Sequence, residues 1–211
     1  LGAYEHQSAA DYCTNCLTSG HIVYVDADAT GNDNGKSWTD AFNVLQDAID
    51  LAKKCSNVTQ IWVAKGTYHP TKARLSHQNN IARHRTFYFS FDIELYGGFE
   101  NGDMNLSDRD WETNVTTLSG DLHGNDGPNF ANTYDNVNTV VHTKNVSTTF
   151  LMDGFYIEAG NSNYFEENYQ SCGGGWFNDG SGLANLSNPT IRNCFFQNNF
   201  AKEEGGGMFN Y

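Results

Sequence analysis

The chain has 211 residues, enough for one domain with a sizeable core, and its 25 Asp plus Glu against 12 Lys plus Arg give a formal net charge of −13. This charge argues against a nucleic-acid partner, which needs a basic stripe, and disfavours a polyanionic substrate unless cations bridge the two. No segment approaches the roughly 20 apolar residues of a membrane-spanning helix. The 21 glycines and 3 prolines are typical of an all-β chain with many short strands.

The first quarter of the chain predicts an extension, one strand and one helix. Residues 1–21 are polar and lack periodicity, so we predict an N-terminal extension before a single domain over 22–211. Ile22–Val25 is a short run of β-branched and aromatic residues, which predicts a strand. Apolar residues then recur every three or four positions, and this spacing predicts one amphipathic α-helix over about 39–54.

The loop between this strand and this helix is rich in side chains that carry oxygen: Asp26, Asp28, Asn32 and Asp33. Ca²⁺ prefers six to eight oxygen ligands in proteins, so the loop is a candidate Ca²⁺ site. The spacing differs from that of an EF-hand, and a turn held by Asp and Asn side chains is the alternative interpretation. No other cofactor is predicted.

After the helix, short apolar segments alternate with Gly-containing turns and with long polar loops over 69–85, 99–113 and 121–136. The last of these loops contains three candidate catalytic residues, Asp121, His123 and Asp126. Glycosidases use a pair of carboxyl groups to cleave the glycosidic bond, so acidic residues in one loop are candidates for this chemistry. Solvated loop residues without a catalytic role are the alternative interpretation.

Five cysteines and five Asn-x-Ser/Thr sequons favour an extracellular location. Cys172 and Cys194 are 22 residues apart and are predicted to pair, which leaves Cys55 to pair with Cys13 or Cys16. The candidate glycosylation sites are Asn57, Asn105, Asn114, Asn145 and Asn185.

One short motif occurs twice in the last quarter of the chain. Gly173–Asn178 reads Gly-Gly-Gly-Trp-Phe-Asn and Gly205–Asn210 reads Gly-Gly-Gly-Met-Phe-Asn, 32 residues later. Self-similarity at this period indicates stacked repeats that bury their apolar faces against each other. We predict that the two Asn residues that end the motif form a ladder of side-chain amides.

Several segments together resemble a known group of proteins. The opening over 22–49 is similar to that of secreted bacterial right-handed parallel β-helix proteins, and the Gly-Gly-Gly-Met-Phe-Asn unit is similar to repeats of polymorphic outer-membrane autotransporters. Further matching segments, in the expected order, are Ile61–Pro70, Leu95–Phe99, Arg109–Trp111, Leu118–Asp121 and Phe196–Asn199. The resemblance implies an all-β, pectin-lyase-like solenoid with an N-terminal capping helix, secreted and displayed at a cell surface.

The function expected from this resemblance is that of a structural or adhesive module in an extracellular adhesin, matrix or filament protein, without catalysis. A polysaccharide lyase or glycoside hydrolase is one alternative, and a carbohydrate-binding module without turnover is another. The expected partners are surface glycans and, at the C-terminal end after Tyr211, further coils or other copies of the chain.

Overall fold

The computed structural model describes residues 16, 21–74, 81–163, 171–181 and 186–211. The helix α1 spans Leu45–Lys54, and three short 3-10 helices span Ala82–His84, Leu106–Asp108 and Pro128–Phe130. The strands are β1 Ile22–Val25, β2 Gln60–Ala64, β3 Gly66–Tyr68, β4 Phe87–Phe89, β5 Glu94–Phe99, β6 Thr116–Ser119, β7 Val141–Lys144, β8 Leu151–Asp153, β9 Tyr156–Glu158, β10 Asn161–Ser162, β11 Trp176–Asp179, β12 Thr190–Arg192, β13 Phe195–Gln197, β14 Phe200–Ala201 and β15 Met208–Asn210.

The described strands form four sheets in which every strand pair is parallel. Their orders are β1-β2-β5-β8-β12, β13-β9-β6-β3, β15-β11-β7-β4 and β10-β14. Side chains alternate between the two faces of each strand, so one face of each large sheet supplies the core. Leu118 of β6 and Ile157 of β9, for example, are register partners and are both fully buried.

The prediction of a single right-handed parallel β-helix is wrong as it was stated. Four separate sheets stand in place of one solenoid coil, and only about 11% of the structure is helical. The sequence prediction extended the regularity of one repeated motif to the whole chain. The connections between the strands range from a single residue to long loops, and three of the long loops contain their own 3-10 helices.

The helix is also shorter than predicted, because the segment before it pairs with strand β1. Phe42 donates its N–H to Tyr24 O at 3.0 Å and accepts from Asp26 N at 2.9 Å, so its backbone is held beside β1 and leaves the helical path. The helix therefore begins at Leu45. Its buried stripe includes Leu45, Ala48, Ile49 and Ala52, which match the predicted apolar face.

The two copies of the repeated motif lie on neighbouring strands in register. Trp176 pairs with Met208 and Asn178 with Asn210 in the parallel pair β11–β15. The predicted amide ladder is confirmed, since Asn178 Nδ2 donates to Asn210 Oδ1 at 3.1 Å. The first glycine of each motif has a positive φ, 66° at Gly173 and 65° at Gly205, a conformation that favours glycine.

One disulfide joins Cys16 to Cys55, the residue that caps the C-terminal end of α1. This is one of the two pairings left open for Cys55, and Cys13 lies outside the described residues. The predicted Cys172–Cys194 pair is wrong, because both thiols are free. The two residues precede strands of different sheets, β11 and β13. Cys194 lies against Met152 O, and burial raises the pKa of its thiol to about 11.

Candidate functional site: an acidic cavity beside Phe130

A cavity of about 440 Å³ lies where the 121–133 loop meets the ends of β6 and β9. Its polar lining comes from the loop, from the two strands and from the turn after β13. The lining residues that matter for its chemistry are Asp121, Asp126, Phe130, Glu158 and Asn198. The candidate residues Asp121 and Asp126 thus share one cavity, whereas His123 is not among its lining residues.

Asp121 holds the loop that forms one wall of the cavity. Its Oδ1 accepts from the N–H of His123 at 3.2 Å and of Gly124 at 2.7 Å, and its Oδ2 accepts from Asp126 N at 3.0 Å. Burial raises the pKa of Asp121, but hydrogen bonds from the loop backbone outweigh this effect, so the pKa lies below its ordinary value. Both oxygens of this carboxylate are therefore occupied in holding the loop.

Asp126 and Glu158 are anchored by neutral amides. Asn136 Nδ2 donates to Asp126 Oδ2 at 2.7 Å, and Gln197 Nε2 donates to Glu158 Oε2 at 2.6 Å. Burial raises the pKa of Asp126, the bond from Asn136 lowers it, and repulsion by nearby carboxylates, including that of Glu158, raises it again. Within the described residues neither acid forms a salt bridge, so each keeps a second oxygen for a ligand.

His123 and Arg83 are not among the lining residues of the cavity, and both contact segments next to it. His123 Nδ1 and backbone N are each 3.1 Å from Asp135 Oδ2, and the His123 side chain is mostly exposed. Arg83 donates to the carbonyl oxygens of Asn136 and Asn161, both at 2.7 Å. These contacts fasten the loop to its neighbours, and a catalytic role of His123 stays a prediction.

Phe130 supplies an aromatic surface at the cavity wall. It is 51% exposed, and its ring meets that of Phe200 edge-on at a centroid distance of 6.0 Å. Asn129, Phe130 and Asn132 all have positive φ, between 57° and 65°. Such a conformation costs non-glycine residues about 1–3 kcal/mol each and is concentrated at functional sites. The loop therefore holds an exposed ring in place at an energetic cost.

Sequence analysis missed three residues of this site: Phe130, Glu158 and Asn198. Glu158 is adjacent to the site only because β9 pairs with β6, which brings it opposite Ser119. Asn198 follows β13, the next strand of the same sheet. Phe130 could have been singled out as an apolar residue inside a polar loop. Asn198 lies in the segment Phe196–Asn199, which carried the family resemblance but no site signal, and Glu158 carried no signal in the sequence.

In the predicted calcium loop, carboxylate oxygens of Asp26 and Asp33 accept hydrogen bonds from the loop and from neighbouring segments. Asp26 accepts from the N–H of Asp28 and from Asn101 Nδ2, and Asp33 Oδ1 accepts from Asn43 N at 2.9 Å. Asn32 Nδ2 donates to Asp40 Oδ1 at 2.8 Å. Among the described residues, no group of three or more His, Cys, Asp or Glu is placed to hold a metal ion. The Ca²⁺ site stays a prediction, and this geometry favours the alternative of a hydrogen-bonded turn.

The Asn side chains of the sequons differ in their exposure and in their hydrogen bonds. Asn145 is exposed, and among the described residues its side chain has no partner. Asn105, also exposed, donates to Asp108 Oδ2 at 3.2 Å. Asn57 Nδ2 donates to Cys16 O at 2.6 Å and Asn114 Nδ2 to Gly98 O at 3.4 Å. Asn185 lies outside the described residues. Glycosylation at each of the five sites stays a prediction.

The stability of the protein is expected to fall as the pH drops below about 6.5, because His142 is buried between the rings of Tyr88 and Phe177. Burial lowers the pKa of His142 and outweighs the attraction of Asp179, whose Oδ2 is 3.8 Å from Nε2. The unfolded chain takes up the proton first, so up to about 1.4 kcal/mol is lost per pH unit.

Urea unfolding of the wild type and of His142→Phe at pH 7 and pH 5.5 checks this expectation. The variant keeps a ring between Tyr88 and Phe177 but takes up no proton, so its free energy of unfolding should change less between the two pH values. His21→Gln, at an exposed position, is the control and should behave as the wild type does. Equal pH dependence in wild type and His142→Phe would contradict the assignment to His142.

No family model, curated protein or solved structure matches the chain. The resemblance to β-helix repeat proteins therefore stays a sequence-based expectation. In the part of the chain that the structure describes, no helix has the length and apolar character needed to cross a membrane.

Proposed function

We propose that the protein is an extracellular adhesive module that holds a glycan in the acidic cavity without cleaving it. The observation that carries the proposal is the pairing of an exposed aromatic ring, Phe130, with the acceptor groups of Asp126 and Glu158 on the walls of one cavity. Sugars offer hydroxyl donors at their edges and apolar C–H faces, which match such carboxylates and such a ring. The Cys16–Cys55 disulfide is consistent with an oxidising, extracellular location.

The hydrogen bonds that Asp121 accepts favour glycan binding over glycan cleavage. Two carboxyl groups with opposite pKa shifts in one cavity are the pattern of an acid–base pair, and Asp121 and Asp126 show opposite shifts. A nucleophile or general base must reach the substrate, however, and both Asp121 oxygens already accept backbone hydrogen bonds. Asp121 therefore supports the cavity wall and is not free to act as the catalytic partner of Asp126. Glu158, the third acid of the cavity, keeps a free oxygen and is assigned to ligand binding.

The negative charge of the cavity favours glycans without acidic groups as ligands. Asp126 and Glu158 have no basic partner among the described residues, and the whole chain carries a formal net charge of −13. A uronic acid or a sulfated sugar would be repelled at this site, because like charges at short range disfavour binding. Neutral sugars meet no such repulsion.

Phe130→Ala is expected to weaken binding of a neutral glycan about tenfold, since the stacking surface is lost. Titration calorimetry with cello-, xylo- and malto-oligosaccharides measures the affinity, and the best ligand of the three series is used for the variants. Tyr134→Ala is the matched control, because Tyr134 is a 69% exposed aromatic residue of the same loop that does not line the cavity.

Two outcomes would count against this function. If the wild-type protein binds none of these sugars, the proposal that its ligand is a neutral glycan is wrong. Release of reducing or unsaturated sugar ends during incubation would replace a binding module with a hydrolase or lyase, and the effect of Asp126→Asn on that release would then show whether this acid takes part.

A structural role is the second candidate, and an exposed layer of strands favours it. Met152, Ile157 and Trp176 are fully buried, whereas their register partners Ile191, Phe196 and Met208 on the edge strands β12, β13 and β15 are only half-buried. Unpaired edge strands with apolar side chains can template further strands. We propose that this edge layer pairs with other copies of the chain.

Association through the edge layer predicts a mass that rises with protein concentration. In size-exclusion chromatography with light scattering, Ile191→Lys should abolish this rise, because a charge would be buried at the contact. Leu186→Lys, at a position that is 79% exposed, is the control. A wild-type mass of one chain at every concentration would exclude association between copies.

A further inference from the structure

We infer that the binding site extends beyond the cavity onto the outer face of the sheet that contains β9 and β13, and that its ligand is an oligosaccharide of several rings. The inference rests on the proposed glycan-binding function and adds a second subsite to it. The second subsite is the stacked pair formed by Tyr156 and Phe195, which the proposed function does not use.

The rings of Tyr156 and Phe195 form a nearly parallel stack on the outer face. Their centroids are 4.6 Å apart with an interplanar angle of 18°, and the two residues are register partners in the β9–β13 pair. The next residues of both strands, Ile157 and Phe196, belong to the core side. Tyr156 is half-buried and Phe195 is 45% exposed, so the stack presents an aromatic surface to solvent.

The stack is continuous with the cavity through the next outward pair of the same two strands. Side chains two residues apart on a strand share a face, so Glu158 follows Tyr156 and Gln197 follows Phe195 on the outer side. Glu158 lines the cavity and accepts from Gln197 Nε2 at 2.6 Å. The outer face therefore offers an aromatic stack, then a row of hydrogen-bonding groups, then the cavity.

The spacing of these groups sets the size of the ligand. A strand rises about 3.3 Å per residue, so the aromatic stack and the Glu158–Gln197 row are separated by roughly 7 Å along the strands. Phe130 lies on another wall of the cavity, on the loop side. A single sugar that fills the cavity cannot also cover the stack, whereas a chain of several rings can contact Phe130 and Phe195 together.

If the second subsite exists, the affinity lost in a variant depends on both the length of the ligand and the subsite that is mutated. Affinities are measured for the cello-, xylo- and malto-oligosaccharide series from the single sugar to the hexasaccharide. In the series that binds, we expect affinity to rise with length, Phe195→Ala to lower it about tenfold for the hexasaccharide, and the shortest ligands to bind this variant as they bind the wild type. Phe130→Ala is expected to lower affinity at every length.

Controls separate lost stacking from lost folding. Phe195→Leu keeps an apolar side chain beside Tyr156 but removes the flat ring, so it should show the same length-dependent loss at unchanged thermal stability. Tyr211→Ala removes a 61% exposed aromatic residue that follows β15, in a different sheet, and should bind all lengths normally.

The outcomes distinguish this inference from the function on which it rests. Affinity that does not depend on length, or an equal loss at all lengths for Phe195→Ala, would overturn the second subsite and leave the cavity as the whole site. Failure of the wild-type protein to bind any member of the three series would overturn the proposed function and, with it, this inference.

Discussion

Asp121→Ala is expected to lower the free energy of unfolding by about 2–3 kcal/mol and to abolish binding in the cavity. The substitution removes the acceptor of the Gly124 and Asp126 N–H groups, whereas His123 N keeps its bond to Asp135 Oδ2. Two unsatisfied donors in a partly buried loop are costly. The loop that carries Phe130 then loses its support. Urea unfolding at pH 7 measures the first effect, and calorimetry with the best neutral oligosaccharide measures the second.

Asp110→Ala is the matched control for this prediction. Asp110 also accepts from two loop N–H groups, those of Glu112 and Thr113, but it is exposed, so water can replace its carboxylate. A loss below about 1 kcal/mol is expected there. If the two alanine variants lose equal stability and Asp121→Ala still binds glycan, Asp121 is an ordinary loop residue and does not support the cavity wall.

The pH dependence of stability offers a second check on Asp121. Its pKa is lowered in the folded protein, so its contribution is present above the ordinary carboxyl pKa of about 4 and is lost as the pH falls towards the folded-state value. The Asp121→Ala variant lacks this contribution. Its stability should therefore approach that of the wild type as the pH is lowered through this window.

Trp176→Ala is expected to cost about 3–5 kcal/mol, the range for removing a fully buried large aromatic side chain. Trp176 has no exposed surface, and its Nε1 donates to Thr143 Oγ1 at 2.8 Å. Thr143 Oγ1 in turn donates to Asn178 Oδ1 at 2.7 Å, so the indole is part of a buried hydrogen-bond chain. The substitution therefore leaves a cavity and an incomplete polar network.

Comparison of Trp176→Ala with Trp176→Phe separates these two contributions. The phenylalanine variant keeps most of the apolar volume but lacks the N–H donor, so it should lose less stability than the alanine variant. Leu186→Ala, at an exposed position, should lose almost none. The urea midpoints of the three variants provide the measurement, and a loss below about 2 kcal/mol for Trp176→Ala would contradict the assigned core role.

Features with local causes could be predicted from the amino-acid sequence. The β-branched and aromatic residues of Ile22–Val25 predicted a strand, and the spacing of apolar residues predicted a helix. The repeated glycine motif predicted the ladder of Asn178 and Asn210. It also placed Asp121 and Asp126 among the candidate site residues, because acids cluster in one short loop.

Features that depend on pairing between distant segments became visible only in the folded chain. Periodicity gave no sign that Phe42 pairs with β1, which delays the start of the helix to Leu45. The 22-residue separation of Cys172 and Cys194 did not bring the two thiols together. The division of the strands among four sheets likewise follows from backbone pairing between residues distant in the chain.

The candidate site shows the same division between local and long-range causes. The turn around Asp121 is local, since its acceptors and donors lie within five residues of each other. Glu158 joins this turn only through the β6–β9 pair, and Phe195 joins Tyr156 only through the β9–β13 pair. A sequence pattern predicts which face of its own strand a side chain lies on. Which side chains of other strands lie beside it depends on how the strands pair.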